Sequence, residues 1–253
     1  MIINSDINIL GSLADWNLIS IFGGIGSNEP VSADHHSFTA IKTSKSVKRF
    51  KNAIENNFLR FDTDEIESLF DSLLTIKGID SDTQLFLFWV LSQNNELIKY
   101  LNSTVFFPAF YSGRVSIRID DVIASLFELK ETEPQLKSWS NSTLTITASK
   151  YLTLLKKFDL LEGTLKKTIK NKFLSDEMFL VFVFWVCQFK EPSNVLKSEW
   201  LKYGFMEVST FIERVVLKKY TQFYTITYNG DILRIEPSIP YHQLIESIHE
   251  SRA

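Results

Sequence analysis

At 253 residues the chain has room for one large domain or two small ones, and its 45% apolar and 23% charged composition is that of an ordinary globular protein. Wholesale disorder and collagen-like repeats are excluded. Twenty-seven basic against 30 acidic side chains leave −3, which excludes a uniformly basic DNA coat, and a single cysteine excludes an internal disulfide or a multi-cysteine zinc site.

Residues 1–40 form a poorly patterned N-terminal segment. Met1–Leu10 lacks both the basic start and the small-residue cleavage site of a signal peptide. Gly23-Gly24-Ile25-Gly26 breaks the chain as a loop or helix end, in the absence of the lysine and hydroxyl that a phosphate loop requires. Asp34, His35 and His36 read as surface residues, because adjacent loop histidines rarely both face one ion.

Residues 41–112 read as an N-terminal helical lobe. Val47, Phe50, Ile54, Phe58 and Phe61 recur at the spacing of one helix face. Asp62-Thr63-Asp64 offers a cap for a second helix through Leu74, and Ser81-Asp82 for a third through Leu91. A fourth runs from Asn95 to Phe107, with Pro108 and Gly113 as terminators. The apolar runs Leu85–Leu91 and Met178–Cys187 hold seven and ten residues, against the ~20 a membrane-spanning helix needs, so both read as core helices that bury Trp89 and Trp185. Cys187 reads as a small buried hydrophobe in a reducing cytoplasm.

Residues 113–174 have the order of a winged helix. An amphipathic helix spans Val115–Leu129, and Ser140 or Asn141 caps a second whose buried stripe is Leu144, Ala148, Tyr151, Leu155 and Phe158. Gly163 ends that helix, and Thr164–Lys172 supplies a basic wing hairpin. Residues 175–253 repeat the order: helices Ser175–Phe189, Ser193–Tyr203 and Glu207–Tyr220, then a hairpin around Asn229-Gly230 with a type I′ turn. Ser81-Asp82 and Ser175-Asp176 each precede a Phe-Trp-Val run, an echo that fits either two related halves or two core helices converging on similar residues.

Charge is distributed in blocks. Lys42–Arg60 holds six basic residues and one acidic, Asp62–Asp82 one and seven, Asp120–Glu133 one and five, and Ser138–Lys172 seven and two. No nucleophile, metal or cofactor motif stands out, and His242 and His249 are two helical turns apart, too far to chelate together. The expectation is a non-enzymatic protein without metal or cofactor. Opposite its apolar stripe the Thr143–Phe158 helix carries Thr143, Thr147, Ser149, Lys150, Thr153, Lys156 and Lys157, expected to face solvent, and the wing adds Lys166, Lys167, Lys170 and Lys172. Hydroxyls and ammoniums of this kind donate to phosphates and, from a groove-lying helix, to base edges. Lys45, Lys48, Arg49 and Lys51 form a second candidate set.

Lys48-Arg49-Phe50, Trp139-Ser140-Asn141-Ser142-Thr143, the stretch Lys150–Gly163, Trp200, Gly204 and Gly230–Ile235, taken in that order along the chain from about Lys42, resemble the BrxA family of BREX phage-defence systems. The resemblance implies a small, mainly helical, non-enzymatic cytoplasmic DNA-binding protein working beside a methyltransferase, a phosphatase-like protein and an ATPase. The expected fold is therefore mainly α, with two helical lobes, winged-helix or helix-turn-helix elements and short β-hairpins. The expected function is low-specificity, phosphate-dominated binding of double-stranded DNA. The alternative is a protein–protein adaptor that docks other defence subunits without touching DNA.

Overall fold

The computed structural model describes residues 3–13, 15–23, 43–189 and 193–250. It is mainly helical, with two small antiparallel sheets. The Gly24–Gly26 stretch and Asp34, His35 and His36 lie outside the described residues. The chain divides into two compact units, each assembled from separate stretches: residues 1–60 with 87–171, and residues 61–86 with 172–253.

The first unit starts with two short helices, α1 (Ile7–Leu10) and α2 (Asn17–Gly23). Helix α3 (Ser44–Phe58) follows, capped by Thr43, whose hydroxyl accepts from the Ser46 N–H at 3.2 Å. Its Val47, Ile54 and Phe58 are buried as the spacing predicts, while Phe50 is only half-buried. Helix α4 (Asp64–Lys77) belongs to the second unit and is capped by Thr63, with Asp64, Glu65 and Glu67 in its dipole-favoured first turn. Helix α5 (Ser81–Asn94) spans the boundary between the two sets of residues and buries Trp89 completely. Its cap is Asp80, one residue earlier than expected, because that carboxylate accepts from both the Asp82 and Thr83 N–H groups at 3.0 and 2.9 Å.

Helix α6 (Glu96–Leu101) passes through a π turn at Asn102–Phe106 into α7 (Phe107–Tyr111). Pro108 was expected to end the helix and does not. The π turn precedes it, and the proline sits in the first turn of α7, where its missing N–H costs nothing. The chain stops instead at Gly113, φ +70. Strand β1 (Ser116–Ile117) comes next, so helix α8 (Ile119–Thr132) begins four residues later than the periodicity suggested, leaving Val115 exposed. A 3₁₀ turn at Pro134–Leu136 leads to α9 (Asn141–Lys157), capped by Ser140. Leu144, Ala148, Tyr151, Leu155 and Phe158 are all buried. Asp159, at φ +57, takes the left-handed turn after α9 that was assigned to Gly163. Gly163 lies instead in the loop joining β2 (Leu161–Glu162) to β3 (Lys167–Ile169). The sheet order is β1-β3-β2, fully antiparallel, with Ile117 opposite Lys167 and Leu161 opposite Ile169.

In the second unit α10 (Asp176–Cys187), capped by Ser175, buries every residue from Glu177 to Val186, Trp185 included. Cys187, expected to be buried, is only half-buried because it ends α10; its Sγ donates to the Ile235 carbonyl at 3.6 Å, and desolvation pushes the thiol up to about 12. The α-helix expected over Ser193–Tyr203 is two 3₁₀ turns. Asn194 and Ser198 each bond the N–H two residues on, which restarts the chain twice. Gly204 is needed there because a Cβ would sit 2.6 Å from the Phe182 ring. Helix α11 (Val208–Val215) ends five residues short of the expected Tyr220, since Leu217 is extended. Strands β4 (Tyr224–Tyr228) and β5 (Leu233–Pro237) pair with Tyr228 opposite Leu233, so their loop has four residues and the type I′ turn is absent. Only Gly230 has positive φ, +98, while the Asn229 side chain closes the loop by accepting from the Asp231 and Ile232 N–H groups. Helix α12 (Leu244–Glu250) packs on α4, beside which the Ser72 hydroxyl donates to the His242 carbonyl at 2.9 Å. Among the described residues no helix is long and apolar enough to cross a membrane.

Candidate nucleic-acid interface

Helix α9 presents three faces. Leu144, Ala148, Tyr151 and Leu155 point into the core of the first unit, where the Tyr151 hydroxyl donates to Asn102 Oδ1 at 2.8 Å. A second face, Thr147, Lys150, Leu154 and Lys157, meets the N-terminal segment. Thr147 is fully buried and its hydroxyl reaches Asn8 Oδ1 at 3.4 Å. Lys150 Nζ donates to the Ser12 hydroxyl at 2.7 Å and Lys157 Nζ to the Leu13 carbonyl. The fit is close: a Cβ on Gly11 would lie 2.8 Å from Lys150 Cβ. The solvent-facing assignment of Thr147, Lys150 and Lys157 is therefore corrected. Burial, and then the neighbouring charge of Lys150, lower the Lys157 ammonium to about 8.

The third face is open. Ser142, Thr145, Ile146, Ser149 and Lys156 are exposed, and Thr153 is half-buried. The sequence reading names Ser149, Thr153 and Lys156 of this face and misses Ser142, Thr145 and Ile146. Stepping back from Lys156 by threes and fours would have found them. Thr143, also half-buried, has its hydroxyl 3.0 Å from that of Ser140 at the cap.

At the C-terminal end of α9 the β2–β3 hairpin adds its cations. Lys166 is exposed. Lys167 donates across the turn to the Gly163 carbonyl at 3.4 Å, and its pKa is lowered by burial and then by the charge of Lys156. Helix α9 packs against β2, so Lys156, in the last turn of the helix, and the hairpin lysines lie at the same end of α9. Lys170 is engaged with Asp159 in an ion pair that fastens the base of the hairpin to the end of α9.

Lys45, Lys48, Arg49 and Lys51 are all exposed on α3, with Lys51 3.6 Å from Glu55. The far ends of α3 and α9 meet in an aromatic cluster, in which Trp16 lies 5.9 Å from Phe58 and 4.9 Å from Phe158. At 1.5 Å per residue this α3 block lies about 10–20 Å along the helix from that junction. Helix α1 packs against both α3 and α9. The two basic blocks are thus parts of one unit.

A family model for BrxA matches residues 36–183, more than half of the chain and all of α3 through α9 with the hairpin. The chain belongs to the BrxA family. Membership ties it to BREX phage defence. The matched range ends before Trp200, Gly204 and Gly230–Ile235, so those parts of the resemblance lie beyond it. No curated protein and no solved structure matches the chain. Among the described residues no group of three or more His, Cys, Asp or Glu side chains could hold a metal. His249 is 3.7 Å from Glu177, and His242 is exposed.

Proposed function

We propose that this BrxA-family chain serves BREX defence as a non-enzymatic binder of duplex DNA in the cytoplasm, acting mainly on phosphates and with little sequence demand. The observation that carries the reading is the open face of α9, where Ser142, Thr145, Ile146, Ser149 and Lys156 are exposed on a helix that packs against the β2 strand of the hairpin bearing the exposed Lys166. Hydroxyls and ammoniums in such a row donate to phosphates, and the phosphate backbone is a dense source of anions. The succession β1, α8, α9, β2, β3 with sheet order β1-β3-β2 supports reading residues 113–174 as a winged helix. In that reading α9 lies in the major groove, where Ser142, Thr145 and Ser149 donate and Ile146 meets thymine methyls. Lys166 and Lys167 follow the backbone on the wing, and Lys45, Lys48, Arg49 and Lys51 extend the phosphate track. The BREX methyltransferase, phosphatase-like protein and ATPase are its proposed protein partners.

A salt series on a duplex of unrelated sequence tests this. Each phosphate neutralised contributes about −0.9 to the slope of log affinity against log salt, so Lys156→Gln, Lys166→Gln and Lys167→Gln together flatten it by roughly 2–3. The loss is the same on every duplex. A wild-type chain that binds no duplex at low salt leaves the adaptor alternative in place.

A further inference from the structure

Leu165 is fully exposed at the tip of the β2–β3 hairpin. An isolated surface leucine is unremarkable on a mobile loop, but this tip is tightly constrained. Gly163 holds φ +86, and a Cβ there would lie 2.2 Å from the Lys166 carbonyl oxygen, so the turn closes on its own backbone. The strands below it are fixed by the Leu161–Ile169 and Glu162–Thr168 register, and by the Lys170–Asp159 ion pair at their base. The leucine therefore projects from the tight turn of a short hairpin whose β3 strand pairs with both β1 and β2.

Its neighbours in sequence are Thr164 and the two cations Lys166 and Lys167, of which Lys166 is exposed. A protein groove that took the leucine would have to desolvate these ammoniums or match each with a carboxylate. One leucine is also a small apolar area for seating in a lipid surface. A polyanion with an apolar interior suits both features: phosphates for the lysines, and the faces of unstacked bases for the side chain. Proteins that kink duplexes from the minor groove use isolated apolar wedges in this manner.

We propose that Leu165 is a wedge that enters between base steps, so that the protein favours duplex sites already unstacked or easily kinked, such as a mismatch or a single-base bulge. The proposal rests on the duplex-binding reading and adds a preference for DNA structure to it. At a mismatch the step is already weakened, and less of the binding energy goes into opening it. The lysines provide affinity on any duplex; the leucine provides discrimination.

The test uses the full chain and two labelled 30-base-pair duplexes, one fully paired and one with a central single-base bulge, in fluorescence anisotropy at fixed salt. Wild type should favour the bulged duplex by about five- to tenfold. Leu165→Ser, at a fully exposed position, should bring that ratio to within about twofold of unity, leaving the salt slope and the melting temperature as they were. Lys166→Gln with Lys167→Gln should weaken both duplexes alike and keep the ratio. Equal wild-type binding to both duplexes, or a ratio that survives Leu165→Ser, overturns the wedge and leaves duplex binding intact. Failure of wild type to bind either duplex removes the duplex reading itself. Binding to phosphatidylserine vesicles that Leu165→Ser abolishes, without duplex discrimination, overturns the wedge in favour of a lipid surface.

Discussion

The flank of α9 bearing Thr147, Lys150, Leu154 and Lys157 lies against the N-terminal segment, whereas the flank bearing Ser142, Ile146, Ser149 and Lys156 is open. Both flanks mix hydroxyl, aliphatic and lysine side chains at the same helical spacing. Composition therefore does not set a lysine's role; what packs across it does. Lys150 and Lys157 each direct a donor to the N-terminal segment, at Ser12 and Leu13, and act as fasteners. Lys156 is exposed on the open flank, where its ammonium is available to an anion in solvent.

The largest effect that could break this comparison is steric. Gly11 has an ordinary helical φ of −63°, so a larger residue there is not strained in φ but would meet the Cβ and carbonyl oxygen of Lys150, both at 2.8 Å, and the Ile7 carbonyl oxygen at 3.0 Å. Gly11→Val should force α1 off α9 and lower stability by ~2–3 kcal/mol in urea unfolding, the usual cost of overpacking. Ser149→Val on the open flank should stay within about 0.5 kcal/mol. Equal effects at the two positions would mean that α1 does not seat on α9.

A smaller effect separates fasteners from phosphate contacts. Lys150→Gln with Lys157→Gln should move the salt slope of duplex binding by less than about 0.5, against roughly 2–3 for the Lys156, Lys166 and Lys167 set. Lys150→Gln alone should lower unfolding stability by up to ~1 kcal/mol, because its hydrogen bond to Ser12 is lost at a partly exposed site, whereas Lys157→Gln loses a hydrogen bond but also relieves the desolvation of that ammonium. A slope flattened by 2 with stability unchanged would exchange the two flanks' roles.

These assignments mark where sequence reading stops. The stripe Leu144, Ala148, Tyr151, Leu155, the caps Thr63, Ser140 and Ser175, and the burial of Trp89 and Trp185 are local or strongly apolar signals, and each was legible. The cover over Thr147 was not, because Asn8 lies 139 positions away in a segment of weak periodicity. The grouping of α4 with the last third of the chain was hidden for the same reason, since it depends on packing between Ser72 and the region of His242. At Pro108 a local rule failed because a π turn just upstream accommodates the ring. At the Asn229-Gly230 turn, one extra pair of loop residues let an asparagine side chain do the work of a second positive φ. On α9 the cations were found by composition, but the face they serve was set by a distant strand of chain.

The finest test of the comparison is the titration of Lys157 itself. Seated against the Leu13 carbonyl, it is lowered from 10.5 to about 8, first by burial and second by the charge of Lys150. In the unfolded chain it returns to the ordinary lysine value of about 10.4. Between about pH 8 and 10.4 the unfolded state then holds more protons at this site than the folded state, so this group makes stability rise with pH across that window. Below pH 8 both states are protonated and its penalty on the fold is fully present. Nitrogen-resolved NMR of the lysine ammoniums should give Lys157 a midpoint near 8. Lys150→Gln should raise that midpoint only part of the way, because the larger cause is burial. A midpoint in the ordinary lysine range would mean that Lys157 is in solvent. The N-terminal segment would then not cover that flank, and Lys157 would rejoin Lys156 among the cations open to a phosphate.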